Sequence, residues 1–387
     1  MVPVVVVNSS LNSLGVVRSL ARGRMPVHLV ASARKGPAGW SRFCRVEWVP
    51  SLDGRVLVDS LIALSRRIGQ RPVLILTGDP EVATLSAFRE EIAPFFRLSL
   101  PSKEMVRTLA DKTLFQKYAE REGFPVPRAI VVCDPSDLPL LSSLKFPVVI
   151  KPGDKTLVLD GKVERVVRAD TLESASAAAM RMLNRASRLV IQEWIDGRDT
   201  DIYFTLFTCD SHSHIAAMFS GRKLVCDPPA IGNTAVCAPA KDAAAELETM
   251  TRQFVARVEY QGIGSLEFKR DRANGRFVIV EPTVGRTDWQ EEIATLCGVN
   301  IPLIAYWTEL GQVSKEASNE SAGTIWRSSV AHKVPAEVRV QGSHTYDGYF
   351  RLGDPLPGVY HYVIEAFAER LYRRARRTLG LSVHAKV

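Results

Sequence analysis

Short apolar runs alternate with amphipathic segments through the first hundred residues of the chain. The apolar runs are typical of buried strands, and the segments between them carry apolar residues at helical spacing. The predicted strands are Pro3–Val7, Val27–Ala31, Arg45–Val49 and Val73–Thr77, and the predicted helices are Ser13–Arg22, Leu57–Arg67 and Pro80–Glu90. This alternation predicts that residues 1–100 form an α/β domain with a doubly wound parallel sheet.

A polar loop, Asn8–Gly15, follows the first predicted strand and opens the first predicted helix. Open α/β sheets bind ligands at such positions. The loop lacks the glycine spacing of a dinucleotide-binding fingerprint, which disfavours a dehydrogenase. A purely structural connection is the alternative interpretation of this loop.

A second series of helices and strands runs from Pro101 to about residue 310. The predicted helices end at Glu122 or span Leu172–Leu183, Ala243–Val258 and Glu291–Glu309, and the predicted strands are Phe146–Pro152, Leu189–Trp194, Asp199–Thr208 and Ile215–Arg222. Lys151 lies at the end of its strand between two prolines, where it is either a solvated terminus or a phosphate contact. Residues 311–359 show only weak strand signals, near Thr324–Trp326 and Val338–Val340.

A β-hairpin is predicted where two strand-like runs, Ser265–Lys269 and Phe277–Glu281, flank the polar segment Asp271–Gly275. The segment ends in Asn-Gly, which favours a tight turn. If those five residues form the loop, Arg270 faces Arg276. The apolar face of the hairpin is then predicted to consist of Leu266, Phe268, Val278 and Val280.

The other face of this hairpin carries two carboxylates. In the predicted register Glu267 lies opposite Ile279, and Glu281 is its diagonal neighbour, roughly 7–8 Å away. Lys269 and Thr283 share that face. Two carboxylates and a hydroxyl without His or Cys favour a hard cation such as Mg²⁺, bound together with substrate phosphates. The alternative is that both glutamates are solvated charges on an ordinary hairpin.

The composition of the 387-residue chain is that of a globular protein, with 46% hydrophobic and 24% charged residues. No apolar run approaches the ~20 residues of a membrane span, and the opening segment lacks the basic flank and length of a signal peptide. The six cysteines are scattered without a CxxC pair, which favours reduced thiols in the cytoplasm. The net charge of +8 suits anionic ligands but is too diffuse to indicate nucleic acid.

Five features follow one another in a characteristic order: Lys112, Lys151, the strand Ile191–Ile195, Glu267 and Glu281. In this order and spacing the chain resembles the ATP-grasp ligases over roughly Ser102–Glu309. Residues 228–233 (PPAIGN) and 281–290 (EPTVGRTDWQ) look most similar to D-aspartate ligase-type amino-acid ligases. The resemblance implies an α/β domain at 1–100, the first ATP-grasp part at 101–195, a second subdomain with the metal site at 196–310, and a C-terminal extension at 311–387.

The resemblance also implies an ATP site. Lys112 and Lys151 would contact the phosphates from two sides, Gln192 would meet the adenine amino group, and the backbone of Glu193 and Ile195 would complete the slot. Ribose would bind Asp199, which the spacing favours over Asp201. Trp194 is either a core aromatic residue or a base contact. The loop Gly153–Lys162 would cover the phosphates, with Lys155 and Lys162 in place of the run of glycines seen in many relatives.

The same resemblance assigns the reacting end of the site. Glu267 and Glu281 would hold Mg²⁺, with Mn²⁺ as an alternative, and Thr283 stands where the family usually has an asparagine ligand. Arg286 would steady a carboxylate or the acyl phosphate made from it. Asn233 would line the mouth of the site, or it simply forms a turn.

The activity implied is that of an ADP-forming ligase that joins a small-molecule carboxylate to an amine, with an amino acid as one substrate. An ATP-grasp kinase and a nucleotide-binding sensor or scaffold are the alternatives. The sequence names neither substrate and leaves the oligomeric state undetermined, although a homodimer is compatible with it.

Residues 360–379 are predicted to form a basic amphipathic helix. One side carries Val363, Ile364, Phe367, Leu371 and Ala375, and the other carries Arg370, Arg373, Arg374, Arg376 and Arg377. Either the apolar side packs on the protein body, or the helix is a peripheral contact with an anionic membrane surface on the cytoplasmic side.

Overall fold

The computed structural model describes residues 1–32, 36–153, 164, 166–312, 323–336, 343–368 and 370–371. Lys155, Lys162, the weak strand signal at Val338–Val340 and the arginines from Arg373 onward lie outside these residues. No helix within the described ranges combines the length and the apolar character needed to cross a bilayer.

The first domain is built on a parallel sheet, as predicted, and its four strands lie in the order β3-β2-β1-β4. The strands are β1 (Val4–Val7), β2 (Val27–Ala31), β3 (Arg45–Trp48) and β4 (Val73–Leu76), and the helices are α1 (Leu11–Arg22), α2 (Gly54–Ile68), α3 (Asp79–Ala87) and α4 (Arg89–Ile92). Val4 and Val6 belong to the buried cluster of α1, whereas Val5 and Val7 belong to the cluster of α2 and α3. The sheet is therefore covered on both faces.

A small subdomain follows, with an antiparallel sheet in the order β5-β8-β6-β7. Its elements are α5 (Lys103–Ala110), α6 (Lys112–Arg121), β5 (Ala129–Val132), β6 (Val148–Pro152), β7 (Val167–Ala169), α7 (Leu172–Leu183) and β8 (Leu189–Glu193). The helix predicted to end at Glu122 is two helices, because the Asp111 carboxylate accepts hydrogen bonds from the amides of Thr113 and Leu114 and starts α6.

The largest sheet has seven strands in the order β13-β12-β9-β10-β11-β14-β15. Its strands are β9 (Ile202–Cys209), β10 (Ile215–Asp227), β11 (Asn233–Pro239), β12 (Gly262–Arg270), β13 (Phe277–Val284), β14 (Thr324–Arg327) and β15 (His344–Asp347). The helices are α8 (Ala244–Val258), α9 (Glu292–Leu296), α10 (Ile301–Glu309) and α11 (Leu356–Val359). Strands β14 and β15 show that residues beyond 310 extend this sheet.

The first domain is joined to the end of β13 by buried polar contacts. The Asn12 side-chain amide donates to the carbonyl oxygens of Thr77 and Thr287, at 3.0 and 2.9 Å. The Thr287 hydroxyl donates to the side-chain Oδ1 of Asn12 at 2.8 Å. These bonds fix the carboxyl edge of the parallel sheet against the segment that carries Arg286.

Glu291 is a buried carboxyl group at the start of α9, only 1% exposed. Burial, with a further contribution from Glu292, raises its pKa to about 8. The folded protein therefore holds a proton that the unfolded chain releases near its ordinary pKa of about 4.5. The stability that Glu291 contributes is fully present below the unfolded pKa of 4.5 and is lost as the pH rises through the folded pKa of about 8.

We expect Glu291→Gln to be more stable than the parent protein at alkaline pH, by on the order of 2–4 kcal/mol, because glutamine needs no proton to stay neutral. Urea unfolding from about pH 5 to 9 measures this, and the two proteins should converge toward the acid end. The exposed Glu90→Gln is the matched control. Parallel stability curves for Glu291→Gln and the parent would contradict the assignment.

Candidate active site

The hairpin of β12 and β13 has a different register from the one predicted. Arg270 pairs with Phe277, so the loop has six residues, 271–276. The prediction of a five-residue loop was therefore wrong. A bulge then shifts the pairing, with Phe268 opposite Ile279 but Glu267 opposite Glu281. The two carboxylates are therefore direct cross-strand neighbours rather than diagonal ones, with Cβ atoms about 4.5–5.5 Å apart in such pairs.

This register also corrects the predicted apolar face. The buried residues of the hairpin include Leu266 and Phe268 as expected, but their partners in the core are Phe277 and Ile279. Val278 lies opposite Lys269, and Val280 lines the cleft beside Glu281. The six-residue loop shifts the pairing by one position, which puts Phe277 and Ile279 on the apolar face instead of Val278. The bulge then moves Glu281 to the face of Glu267.

Each of the two carboxylates is neutralised by a lysine from another element. The Lys223 ammonium lies 2.5 Å from Glu267 Oε2, and the Lys112 ammonium lies 2.8 Å from Glu281 Oε2. Glu267 and Glu281 are 31% and 30% exposed and each is paired with a lysine, so neither is a freely solvated charge.

Lys223, in β10, was not among the predicted site residues. Its side chain is only 5% exposed. Burial alone would lower its pKa, but the Glu267 carboxylate outweighs that effect and raises it, so the lysine stays charged. The sequence signal that could have identified Lys223 is its position before the apolar run Leu-Val-Cys, because a charged residue in a buried strand needs an oppositely charged partner.

Lys151, the fourth residue of β6, donates a hydrogen bond to Gln192 Oε1 at 3.0 Å. Burial and the neighbouring charge of Lys112 lower the pKa of Lys151 to about 8. Lys112 is the first residue of α6, and its amide donates to the Gly153 carbonyl oxygen at the end of β6. The two lysines thus reach the same place from a strand end and a helix N-terminus.

An open cleft lies between the small subdomain and the seven-stranded sheet. The predicted site residues that line it are Lys112, Lys151, Gln192, Glu193, Ile195, Glu267 and Glu281. Apolar side chains, among them Val149, Ile202 and Ile231, line the cleft as well. A cleft with both charged and apolar walls fits a ligand that has phosphates at one end and an aromatic base at the other.

Asp199 does not line this cleft. Its carboxylate accepts hydrogen bonds from the amides of Cys226 and Ala230, at 2.8 and 2.7 Å. It thereby fixes the loop 228–233, which contributes Ala230, Ile231 and Gly232 to the cleft. A Cβ atom at Gly232 would lie 2.1 Å from the backbone of Asp227, so only glycine fits there.

Thr283, Asn233 and Arg286 lie around the cleft rather than in its wall. Thr283 pairs with Ser265 on the same strand face as Glu281 and is 9% exposed. Asn233 is exposed at the start of β11. The Arg286 guanidinium binds both oxygens of Asp79 from the first domain, at 2.5 and 3.2 Å.

The ring of Trp194 is covered by two cations. The Lys269 ammonium lies 4.0 Å from the ring centroid, and the Arg168 guanidinium lies 4.8 Å from it. Such cation–π contacts hold the ring in place. Trp194 is half-buried and lines the cleft, so it is not a core aromatic residue, and its contact with a base stays a prediction.

The donor set in the cleft fits a hard divalent cation held jointly with phosphate oxygens. Glu267 and Glu281 supply oxygen ligands and no sulfur or imidazole. Among the described residues, no group of three or more His, Cys, Asp or Glu side chains is placed to hold a metal by itself. Two carboxylates suffice for Mg²⁺, which usually completes its shell with water and substrate phosphates.

The cleft is enclosed by a four-stranded antiparallel sheet and a seven-stranded sheet that is antiparallel except for its β14–β15 pair. Together with the preceding parallel-sheet domain, this arrangement is that of the ATP-grasp fold, and this chain has it. Biotin carboxylase from Campylobacter jejuni is similar with a TM-score of 0.66 at 13% identity, over 84% of this chain and 74% of that one. L-amino acid ligase from Bacillus licheniformis is similar with a TM-score of 0.60 at 14% identity, over 80% and 74%.

Sequence comparison points the same way. The chain is 24% identical over 322 residues to a D-aspartate ligase from Enterococcus faecium (strain Aus0004). This alignment covers 77% of this chain and 74% of that protein. No family model matches the chain.

Proposed function

We propose that this chain is an ATP-dependent, ADP-forming ligase that joins a carboxylate to an amine through an acyl phosphate, with an amino acid as one substrate. The observation that carries the proposal is the direct pairing of Glu267 with Glu281, surrounded by Lys112, Lys151 and Lys223. The similar proteins named D-aspartate ligase and L-amino acid ligase support the reaction class.

The residues of the cleft suit phosphoryl transfer to a carboxylate. Glu267 and Glu281 would hold Mg²⁺, which supplies charge neutralisation at the phosphates when bound. Lys112, Lys151 and Lys223 would offset negative charge on the transferring phosphoryl group from fixed positions, and such preorganised electrostatics is usually the main catalytic contribution. Within this arrangement the substrate carboxylate would attack the γ-phosphate, whose bond to the bridging oxygen breaks and releases ADP. The amine would then attack the acyl carbon, displace phosphate and lose a proton.

The remaining predicted site residues have supporting roles in this proposal. Arg286 would steady the substrate carboxylate or acyl phosphate, held by Asp79 in a bidentate pair that fixes its direction. Asp199 would act on the ribose side through the loop 228–233, to which it is bonded. Thr283 would assist Glu281 at the metal, and Asn233 would sit at the mouth of the cleft.

ADP release assayed against a panel of carboxylates and amines tests this function. We expect ADP to form only when both substrates are present and to equal the amide produced. ADP with a stable phosphorylated product and no amide would instead establish the kinase alternative. Nucleotide binding without any turnover across the panel would favour a sensor or scaffold.

We further propose that the protein works in the cytoplasm and contacts an anionic membrane surface through its C-terminal helix. The apolar side of the helix is exposed rather than packed on the protein body, with Val363 60%, Phe367 62% and Leu371 51% exposed. The sequence adds five arginines between positions 370 and 377. Each basic residue near anionic lipid contributes on the order of 1 kcal/mol, which makes lipid headgroups a fitting partner for this surface.

We expect the parent protein to sediment with vesicles that contain phosphatidylglycerol but not with pure phosphatidylcholine vesicles. The double variant Val363→Ser/Phe367→Ser should bind about tenfold more weakly, because it removes the apolar anchor. Leu172→Ser/Met180→Ser, on the exposed side of α7, is the matched control. Equal sedimentation of parent and Val363→Ser/Phe367→Ser, or none by either, would refute membrane contact.

A further inference from the structure

Gln192 is one end of a buried chain of hydrogen bonds. Its side-chain Nε2 donates to Gln116 Oε1 at 2.8 Å, and its Oε1 accepts from Lys151 at 3.0 Å. Gln116, in α6, in turn donates through Nε2 to the Pro127 carbonyl oxygen at 2.9 Å and to Glu120 Oε1 at 2.8 Å. Gln192 and Gln116 are only 6% and 2% exposed.

The direction of this chain is fixed by its acceptors. A proline carbonyl and a carboxylate can only accept, so the Gln116 amide must present its nitrogen to Pro127 and Glu120. The side-chain oxygen of Gln116 therefore faces Gln192, and Gln192 must present its side-chain nitrogen to that oxygen. The carbonyl oxygen of Gln192 is consequently directed toward the cleft, whose wall includes both Gln192 and Lys151.

Lys151 also donates a hydrogen bond to the Gln192 side-chain oxygen, but a phosphate would compete with that oxygen for the lysine. A lysine binds phosphate oxygens as a point charge, and charged acceptors form stronger hydrogen bonds than an amide carbonyl. When Lys151 turns to phosphate, Gln116 alone keeps the Gln192 oxygen directed toward the cleft. That oxygen can then accept from a new donor.

We infer that Gln116 is a positioning residue that sets nucleobase specificity, by holding Gln192 so that it accepts a hydrogen bond from the 6-amino group of a purine and repels a 6-oxo group. This inference rests on the proposed use of ATP and identifies what makes that site select adenine. An inverted Gln192 amide would offer nitrogen and favour a 6-oxo purine instead.

Binding of purine triphosphates to the unaltered protein tests the polarity directly. With Mg²⁺ present, the order of affinity should be ATP, then purine riboside triphosphate, then inosine triphosphate, which carry an amino group, no substituent and an oxo group at position 6. ATP and inosine triphosphate should differ by about tenfold to a hundredfold, since one lost hydrogen bond and one unpaired acceptor separate them. Equal affinity for ATP and inosine triphosphate would overturn the inference.

The variant Gln116→Met tests this chain of hydrogen bonds, because methionine has a similar volume but cannot accept the hydrogen bond from the Gln192 side-chain amide. We expect the preference for ATP over inosine triphosphate to fall to within about threefold, mainly through weaker ATP binding. Lys117→Met, exposed on the same helix, should keep the full preference. If Gln116 has only a structural role, Gln116→Met should have a lower melting temperature and bind both nucleotides equally more weakly. That result would refute the positioning role.

Failure of the wider function would look different. A protein that binds none of the three triphosphates would overturn both this inference and the proposed ligase activity. A protein that forms amide and ADP with ATP and inosine triphosphate alike would overturn the inference alone.

Discussion

Glu281→Gln should lower ADP formation by about 100- to 1,000-fold, the size of effect seen when one preorganised electrostatic contact is removed from a reaction site. The variant keeps the shape of the side chain but loses one of two charges that would hold the metal. The Glu281 side chain is 30% exposed at the cleft, so folding should be unaffected. Steady-state ADP release, with circular dichroism to check the fold, measures both expectations.

Two controls separate a metal role from a general disturbance. Glu246→Gln, an exposed carboxylate on α8, should retain full activity. Raising the Mg²⁺ concentration should recover part of the activity of Glu281→Gln but change nothing in Glu246→Gln. Near-normal ADP formation by Glu281→Gln at low Mg²⁺ would refute the metal assignment.

Lys151→Ala should abolish most of the thermal stabilisation that ATP with Mg²⁺ gives the parent protein. A ligand at 100 times its dissociation constant stabilises the native state by about 2.7 kcal/mol, and weaker binding removes that gain at the same concentration. Differential scanning fluorimetry compares the two proteins. The exposed Lys145→Ala is the matched control, and an undiminished shift in Lys151→Ala would show that this lysine does not contact the phosphates.

The same lysine should make nucleotide affinity depend on pH. Its pKa is lowered to about 8, so above that value the free protein carries a neutral amine at this position. Phosphates favour the charged form, so binding takes up a proton and affinity should fall by up to about tenfold for each pH unit above the pKa. Calorimetry in buffers of different ionisation enthalpy detects the proton, and Lys151→Ala should show no uptake there.

The elements of this fold could be predicted well because strands such as Val4–Val7 and Val73–Leu76 are continuous apolar runs, and helix α7 begins at a clear cap. The order of Lys112, Lys151, Gln192 and the glutamates was likewise visible in the sequence. Direct pairing of Glu267 and Glu281 was not, because it depends on a bulge that adds one residue to β13 without a distinctive sequence.

Other parts of the site needed the tertiary structure. Spacing suggested a direct ligand role for Asp199, but two backbone amides occupy its oxygens, and sequence does not reveal backbone partners. The pairing of Arg286 with Asp79 joins residues 207 positions apart. Lys223 was overlooked because the strand was predicted to end at Arg222, whereas β10 continues to Asp227.

The two lysine–glutamate pairs bear on the order in which ligands arrive. Lys112 and Lys223 already satisfy the carboxylates of Glu281 and Glu267, so a bare divalent ion would have to compete with two fixed ammonium groups. Phosphates attract both ammonium groups and so release the carboxylates for coordination. We therefore expect the nucleotide and its metal to enter the cleft as one complex, and free Mg²⁺ to bind weakly on its own.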